Sequence, residues 1–517
     1  MLAIQSKPRP LARASRLAVA VTVAPLAVAA GLALWSLGFG LPSLFRPDEE
    51  VLVGRSVHLV LDRSLDPLFS IYPPLAFYLF AAAEAVAGLV HPLGAATRVD
   101  PGAAYLAGRA VSALAFVASV AFVSATGRRS DGLAGGLVAA LGLAMAPLAV
   151  RQAHFATTDV VAMAFVAAAI WAGARAASPR AFLLAGVLAG LAAATRYTAG
   201  LVAVVPLALA LLSEDRWRRA AAVVAGSAAA FLGVVGLAGH PTDYARGLAF
   251  LGGRAGQQYG TPIGLVYHPT VSLPYGLGFG TYALALGGVV LALVRRRPLD
   301  VALLAYLGAS LAVVGFSHEV FWRYVLPMLP ALCVLAGGLV RLARDRRTLW
   351  AGTAAALLLM APSAYASITT DRLLGAEDTR QQAAGWLLRT APAGSELRID
   401  SYWAQPFYDA PELERRPLHP LYVTGNAVAD SFEQGRFTDR FAVNRPGSPC
   451  YTLVESGPPW QAPAPATDRA PAAVFTPYAG APPQVGRYDP LDAFYLPIWG
   501  FGGLERPGPT VAIVAGC

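Results

Sequence analysis

The sequence predicts a polytopic α-helical membrane protein, with about 11 transmembrane helices and a small C-terminal α/β domain outside the bilayer. Three observations lead there. Of the 517 residues, 56% are hydrophobic and 14% are charged, whereas soluble proteins carry about 25% charged residues. Apolar runs of roughly 20 residues recur along the chain. Basic residues fall in short clusters between these runs: Lys7, Arg9, Arg13 and Arg16; Arg128 and Arg129; Arg175 and Arg180; Arg216, Arg218 and Arg219; Arg295 to Arg297; Arg341, Arg344, Arg346 and Arg347. A formal net charge of +9 would suit a nucleic-acid partner, but clusters on every second loop are the positive-inside pattern. They place those loops in the cytoplasm.

On this pattern the spans run at about 17–39, 104–126, 132–150, 158–175, 181–195, 199–212, 218–238, 275–294, 299–316, 324–341 and 349–368. The first, behind a basic leader and followed by other spans, reads as an uncleaved signal anchor. The two runs flanking "TRYTAG" are short, which suits tilted, broken or partly embedded helices. The N-terminus is then cytoplasmic and the C-terminus extracytoplasmic, in a multi-pass protein of the cell membrane. All seven histidines (His58, His91, His154, His240, His268, His318 and His419) map to the outer side.

Three outer segments are too long to be turns. The first, 41–103, contains "YPPLAFYLFAAAEAVAGLV", which reads as a helix lying along the outer interface, with its aromatic residues at headgroup depth. The second, 239–274, is rich in Gly, Tyr and Pro and reads as an irregular loop. The third, 369–517, gains charge and proline. There "DTRQQAAGWLLRT" predicts a helix, "SELRID" a strand after a Pro/Gly turn, and "CYTLVES" and "TVAIVAG" two further strands. The chain thus divides into a membrane domain, 1–368, with an outer juxtamembrane loop at 41–103, and an extracytoplasmic α/β domain, 369–517. Cys333 lies in a span as a small apolar residue. Cys450 and Cys517 lie in the outer segment, where a disulfide and two free thiols are both open. No metal-ligand spacing is present.

Ionisable groups at a bilayer are expensive and are functional candidates. Outside the cytoplasmic clusters they are few: Asp48 and Glu49 in "PDEE"; Arg109 in "LAGRAVSAL"; His154 and Asp159 in "HFATTD"; Arg196 and Tyr197 in "TRYTAG"; His318, Glu319, Arg323 and Tyr324 in "SHEVFWRYVLPMLP". The topology puts all of them at the outer boundary. Each has a plain alternative: Asp48 and Asp159 as helix caps, Arg196 and Arg323 snorkelling to headgroups. Together they suit transfer from a lipid-linked donor. A carboxylate accepts the proton of an attacking hydroxyl, while fixed guanidinium groups stabilise charge on a phosphate leaving group.

In the order "PDEE", "YPPLAFYL", "LAGRAVSAL", "HFATTD", "GLAAATRYTAGL", "FWRYVLPMLP", the chain resembles the GT-C superfamily of membrane glycosyltransferases. Within it, the chain resembles the protein O-mannosyltransferase-like branch (glycosyltransferase family 39) that includes the lipid A aminoarabinose transferase. The resemblance implies a GT-C membrane fold and a polyprenyl-phosphate-linked sugar as donor. It further implies inversion at the anomeric carbon and an acceptor hydroxyl on a lipid, glycan or protein. It makes Asp48 the base, Glu49 its neighbour in the acidic pair and Asp159 the second acidic residue. Arg196 and Arg323 would face the donor phosphate, together with Arg109 and Tyr72, while His154, Tyr197, His318 and Tyr324 would contact substrate. Where the aminoarabinose branch has a lysine before Pro-Pro-Leu, this chain has Tyr72, so phosphate binding falls to Arg or Tyr groups. Nothing in the residues demands a metal. A lipid or solute transporter or flippase without covalent chemistry is the alternative, although midplane charges and inverted repeats, which mark many transporters, are not apparent. An inert member whose tail binds a partner is a third reading.

Overall fold

The computed structural model describes residues 11–41, 46–90, 101–257, 261–392, 395–400, 441–442, 449–456, 469–480, 486–492 and 494–516. It opens with α1 (Leu11–Leu34), then two short helices, α2 (Pro47–Leu61) and α3 (Leu75–Val90). Phe77 and Phe80 of α3 pack on Leu52, Val53 and Val57 of α2 and on Tyr105, forming a small core beside the bundle.

Next comes α4 (Pro101–Ala144), 44 residues with non-helical dihedrals at Gly132 (φ 76°, ψ −173°). A straight helix of that length would span about 66 Å, twice a bilayer's hydrocarbon core. Instead the chain doubles back: a side chain at Gly127 would meet the Gly136 Cα at 3.0 Å. The two spans expected at 104–126 and 132–150 are the arms of this hairpin, and Gly132 supplies the positive φ that turns it.

The bundle continues through α5 (Pro147–Ala153), α6 (Thr158–Arg175) and α7 (Pro179–Thr195). Arg196 then adopts an extended conformation (φ −151°, ψ 122°), and a 3₁₀ turn, Tyr197–Ala203, leads into α8 (Val204–Leu211). The short runs around "TRYTAG" are therefore a broken helix. Helix α9 (Arg216–Leu237) crosses α7 at close range, because a Cβ at Gly186 would lie 2.3 Å from the Val223 carbonyl oxygen. Small residues at such crossings let helices approach without a hydrophobic driving force.

The stretch expected as an irregular loop, 239–274, is mostly helical where described. It holds α10 (Pro241–Ala255), α11 (Gly264–Tyr267), a π-type turn at His268–Ser272, and α12 (Leu273–Leu277). Tyr244, Leu248, Leu251 and Ala255 recur at helical spacing along α10, a period that the glycines between them obscure. The membrane part closes with α13 (Phe279–Arg295), α14 (Pro298–Gly315), α15 (Leu329–Gly337) between two 3₁₀ turns, α16 (Arg346–Leu359) and α17 (Ala361–Leu374). Among the described residues, six helical stretches are long and apolar enough to cross a membrane, and six shorter apolar helices accompany them. The α-helical membrane fold expected from the sequence is present.

Charge gathers at one end of this bundle. At the α4 hairpin, Asp131 accepts hydrogen bonds from Arg297 (3.0 Å) and Arg341 (2.7 Å), and Arg297 also binds Asp300 (2.8 and 3.0 Å). The site described below forms at the opposite ends of the same α4 arms.

The C-terminal part carries α18 (Thr379–Thr390), started by a capping box of Asp378 and Gln381. Its sheet comprises β1 (Ser395–Asp400), β2 (Phe441–Ala442), β3 (Cys450–Ser456), β4 (Ala473–Phe475) and β5 (Thr510–Ala515). The strand order is β2-β1-β3-β5-β4, parallel from β2 through β3 and antiparallel beyond. Ala383, Leu387 and Ala391 of α18 pack on Leu453, Val511 and Ile513, so the expected helix and three strands form one small α/β layer. Cys450 is disulfide-bonded and Cys333 is a free, buried thiol; Cys517 lies outside the described residues, as do His91 and His419. A second cluster joins this part to the bundle: Tyr478, Phe494, Leu496, Phe501 and Leu504 pack on Phe39, Phe155, Leu373 and Leu374.

Candidate active site

A cavity of about 600 Å³ opens where α2, the α7–α8 break, α10, α14 and the turn before α15 meet. Its lining combines charged groups, Arg46, Asp48, Arg196, Arg254, Glu319, Arg323 and Asp492, with aliphatic ones, Leu248, Leu251, Val313 and Val314.

Asp48 and Glu49, consecutive on α2, point apart as helical neighbours must. The Asp48 carboxylate is 30% exposed and lines the cavity; it accepts a hydrogen bond from Arg323, and Arg46 stands 3.6 Å away. Burial acts to raise its pKa, but the Arg323 and Arg46 charges outweigh that and hold it below the ordinary carboxylate value. Glu49 turns inward and is 1% exposed. Arg109 grips it with two parallel bonds of 2.8 and 2.9 Å, and the Ala156 N–H donates to it at 2.7 Å. The remaining Arg109 Nη1 donates to the carbonyls of Leu37 (3.0 Å) and Phe39 (2.8 Å). Glu49 was expected as a catalytic neighbour of Asp48, and Arg109 as a contact of the donor phosphate. The structure instead uses them to fasten α2 to α4 and to the turn after α1, away from the cavity lining.

Asp159, in the first turn of α6, is buried and paired with Arg196. Arg196 reaches the cavity from the extended break after α7, with its guanidinium 5.0 Å from the centre of the Tyr324 ring. Asp159 thus acts on the cavity through Arg196. Tyr72, Tyr197, Arg323 and Tyr324 all line the cavity. The Tyr197 hydroxyl donates to the Tyr244 carbonyl at 3.0 Å, and that of Tyr324 to Glu319 at 2.9 Å. Glu319 is itself paired with Arg254 of α10.

The two histidines lie elsewhere. His154 is fully buried between the carbonyls of Val150 (2.9 Å) and Trp35 (2.8 Å), bracing α1 against α5. His318 is half-buried, its Nδ1 3.4 Å from the Thr261 carbonyl, outside the lining although its neighbours Ser317 and Glu319 belong to it. Neither was brought to the cavity as expected of substrate-binding groups.

Four residues join the site without having been singled out. Arg46 is buried and sits beside Asp48. Arg151, buried at the end of α5, lies behind it. Asp492 pairs with Arg46 and with Arg151 (3.1 Å). Asp489 accepts from the Trp322 N–H at 2.7 Å and from the Leu491 N–H at 3.1 Å. Burial pushes the Asp489 carboxyl above its ordinary value, against those two N–H bonds. A lone arginine just ahead of "HFATTD" was a readable signal for Arg151. No local pattern marked the two aspartates of "RYDPLDAF". Among the described residues, no group of three or more His, Cys, Asp or Glu side chains is placed to hold a metal ion.

This arrangement has the parts for moving a group off a phosphate: a carboxylate beside several fixed guanidinium groups, in a cavity that also has aliphatic walls. Residues 96–239 match the model of the dolichyl-phosphate-mannose-protein mannosyltransferase family, a stretch containing Arg109, Asp159 and Arg196. No curated protein sequence matches the chain. The fold is similar to that of ArnT from Cupriavidus metallidurans in its crystal structure bound to undecaprenyl phosphate. There the TM-score is 0.54 and the identity 15%, over 84% of this chain and 92% of that one. The apo state of the same protein gives 0.53 and 16%, over 85% and 93%. The Archaeoglobus fulgidus oligosaccharyltransferase in its apo form gives 0.52 and 13%, over 85% and 69%. The GT-C resemblance drawn from the sequence is thus met by a family model and by the fold.

Proposed function

From a GT-C membrane fold and a mannosyltransferase-family match, we propose that the chain is a glycosyltransferase. It moves a sugar from a polyprenyl-phosphate donor to an acceptor hydroxyl at the outer face of the cell membrane. The observation that carries this reading is a cavity in which Asp48 stands beside Arg46 and Arg323, with Arg196 also in the lining, and whose walls include Leu248, Leu251, Val313 and Val314. A phosphate on a polyprenyl chain combines the same two characters. Its head suits the guanidinium groups, and its tail suits the aliphatic wall.

In the reaction, Asp48 takes the proton of the acceptor hydroxyl as its oxygen attacks the anomeric carbon. The bond from that carbon to the phosphate oxygen breaks, and the phosphate leaves with the electron pair. Arg323 and Arg196 stabilise the charge that grows on it. A single displacement of this kind inverts the anomeric centre. Arg323 holds Asp48 in the structure, and a bound phosphate would share Arg323, loosening the carboxylate for its work as base. Tyr72, Tyr197 and Tyr324 would flank the sugar, and the acceptor is a lipid, glycan or protein.

The orientation is part of the proposal. The end of the bundle where Arg297 and Arg341 meet Asp131 would face the cytoplasm with the N-terminus, by the positive-inside rule. Residues 369–517 would then form the extracytoplasmic domain beside the site, and residues 1–368 the membrane domain.

The test is turnover of a lipid-linked sugar donor in membranes carrying wild-type or Asp48→Asn protein at matched abundance. Loss of about 10²- to 10⁴-fold is expected for removal of a general base. Wild-type turnover in the folded variant would remove Asp48 from that role. Lipid or solute flux without any glycosylated product, from the wild type, would overturn the transferase reading in favour of a transporter.

A further inference from the structure

Three buried arginines converge on one carboxylate that comes from the distant part of the chain. Asp492 accepts from Arg46 through Oδ1 and from Arg151 through Oδ2 at 3.1 Å, and Arg323 Nη1 stands 3.9 Å from Oδ1. Even with Asp48, which accepts from Arg323 and lies 3.6 Å from Arg46, two carboxylates cannot satisfy three guanidinium groups, each with five N–H donors. The surplus is visible: Nε and Nη2 of Arg46, Nε and Nη1 of Arg151, and Nε of Arg323 have no hydrogen-bond partner. Arg46, Arg323 and Asp492 all face the cavity.

The aspartate is held firmly in place. Asp489, three residues earlier, is bound to the main chain at Trp322, next to Arg323. Phe494, two residues later, lies under Arg151 at 5.0 Å and packs edge-on against Phe39 and Phe155. A carboxylate so anchored cannot swing away, so any exchange of partners must come from the arginines.

We propose that Asp492 is a positioning residue of the transfer site. It is the fixed counter-ion that sets Arg46 and Arg323 beside Asp48, and it competes with the donor phosphate for their N–H groups. The proposal rests on the polyprenyl-phosphate reading above. Competition keeps the phosphate from binding too tightly: when the sugar has left, the phosphate left behind carries more charge and would hold the arginines more strongly, and the fixed negative charge of Asp492 offsets part of that gain by repulsion and favours its release. The residue therefore limits affinity in order to permit turnover.

The experiment is equilibrium binding of undecaprenyl phosphate to the full chain in detergent, with undecaprenol as the control lacking phosphate. Asp492→Asn is expected to bind the phosphate about tenfold tighter, the value of one charge-assisted hydrogen bond returned to the ligand, with undecaprenol unchanged. In turnover, KM and kcat should both fall. Should the single variant fail to fold, Asp492→Asn with Arg151→Met removes one buried charge of each sign, and it too should bind more tightly than wild type. Equal or weaker phosphate binding by the folded variants would overturn the counter-ion role, because a merely structural residue gives that result. Failure of wild type and variants alike to bind the phosphate would instead overturn the donor reading.

Discussion

Asp48 and Glu49 share a peptide bond and have opposite surroundings: one carboxylate is 30% exposed in the cavity, the other 1% exposed against Arg109. The two invite different substitutions and should fail in different ways.

Glu49→Ala leaves the buried Arg109 charge facing two carbonyls and nothing negative. The expected cost is about 3–5 kcal/mol of stability, the usual result of breaking a buried pair from one side. It would be read as a lower melting temperature in detergent. Adding Arg109→Met should return part of that stability, since the uncompensated charge is then gone. If Glu49→Ala melts like wild type but loses turnover, the residue belongs to the chemistry.

Arg196 serves two partners, Asp159 behind it and the cavity in front. Arg196→Ala should lower both the melting temperature and donor affinity. The double variant with Asp159→Asn separates the effects. It should recover stability, because no buried carboxylate is left unpaired, while kcat/KM stays at least about tenfold down. Recovery of both would show that Arg196 is only a counter-ion.

The acid limb of the pH profile follows from Asp48. Arg323 and Arg46 lower its pKa in the folded protein, so the base form persists at every pH above the ordinary carboxylate value of about 3.9. Turnover should therefore not fall between pH 7 and 5 on this residue's account. The stability it contributes follows the same sign, present above the unfolded pKa and lost as pH falls through the folded one. A limb that drops near pH 6 in wild type, and stays in place in Arg323→Gln, would contradict the assignment of the base.

Much of this was legible in the sequence, for a physical reason. In a chain so poor in charge, each ionisable residue at the end of an apolar run stands out, and Asp48, Asp159, Arg196 and Arg323 were all found that way. A single charged residue at the end of an apolar run does not reveal which face of its helix it occupies. The resemblance makes Glu49 catalytic and Arg109 a phosphate contact, and nothing in the sequence says that the two hold each other in the interior. His154 went the same way, since buried and exposed rings leave the same trace in a sequence. Arg46 was passed over although it stands two residues before Asp48. Asp489 and Asp492 lie in a proline-rich stretch with no periodicity, and their role comes from a contact across hundreds of residues. The amphipathic period of α10 was readable in Tyr244, Leu248, Leu251 and Ala255, but its glycines gave the impression of a loop.

The pairing of Arg46 with Asp492 spans 446 positions. During synthesis the arginines at 46 and 151 emerge long before the aspartate that neutralises them. Until it arrives, Arg46 has the neighbouring Asp48 carboxylate alone, 3.6 Å away in the finished fold, and Arg151 lacks the carboxylate that it binds there. The charge balance of the site is therefore completed only once the C-terminal stretch has been made. A break in translation, or a premature stop anywhere before that aspartate, would yield a product whose defect lies near its beginning. Quality control that recognises exposed charge within a bilayer would have a clear mark by which to remove it.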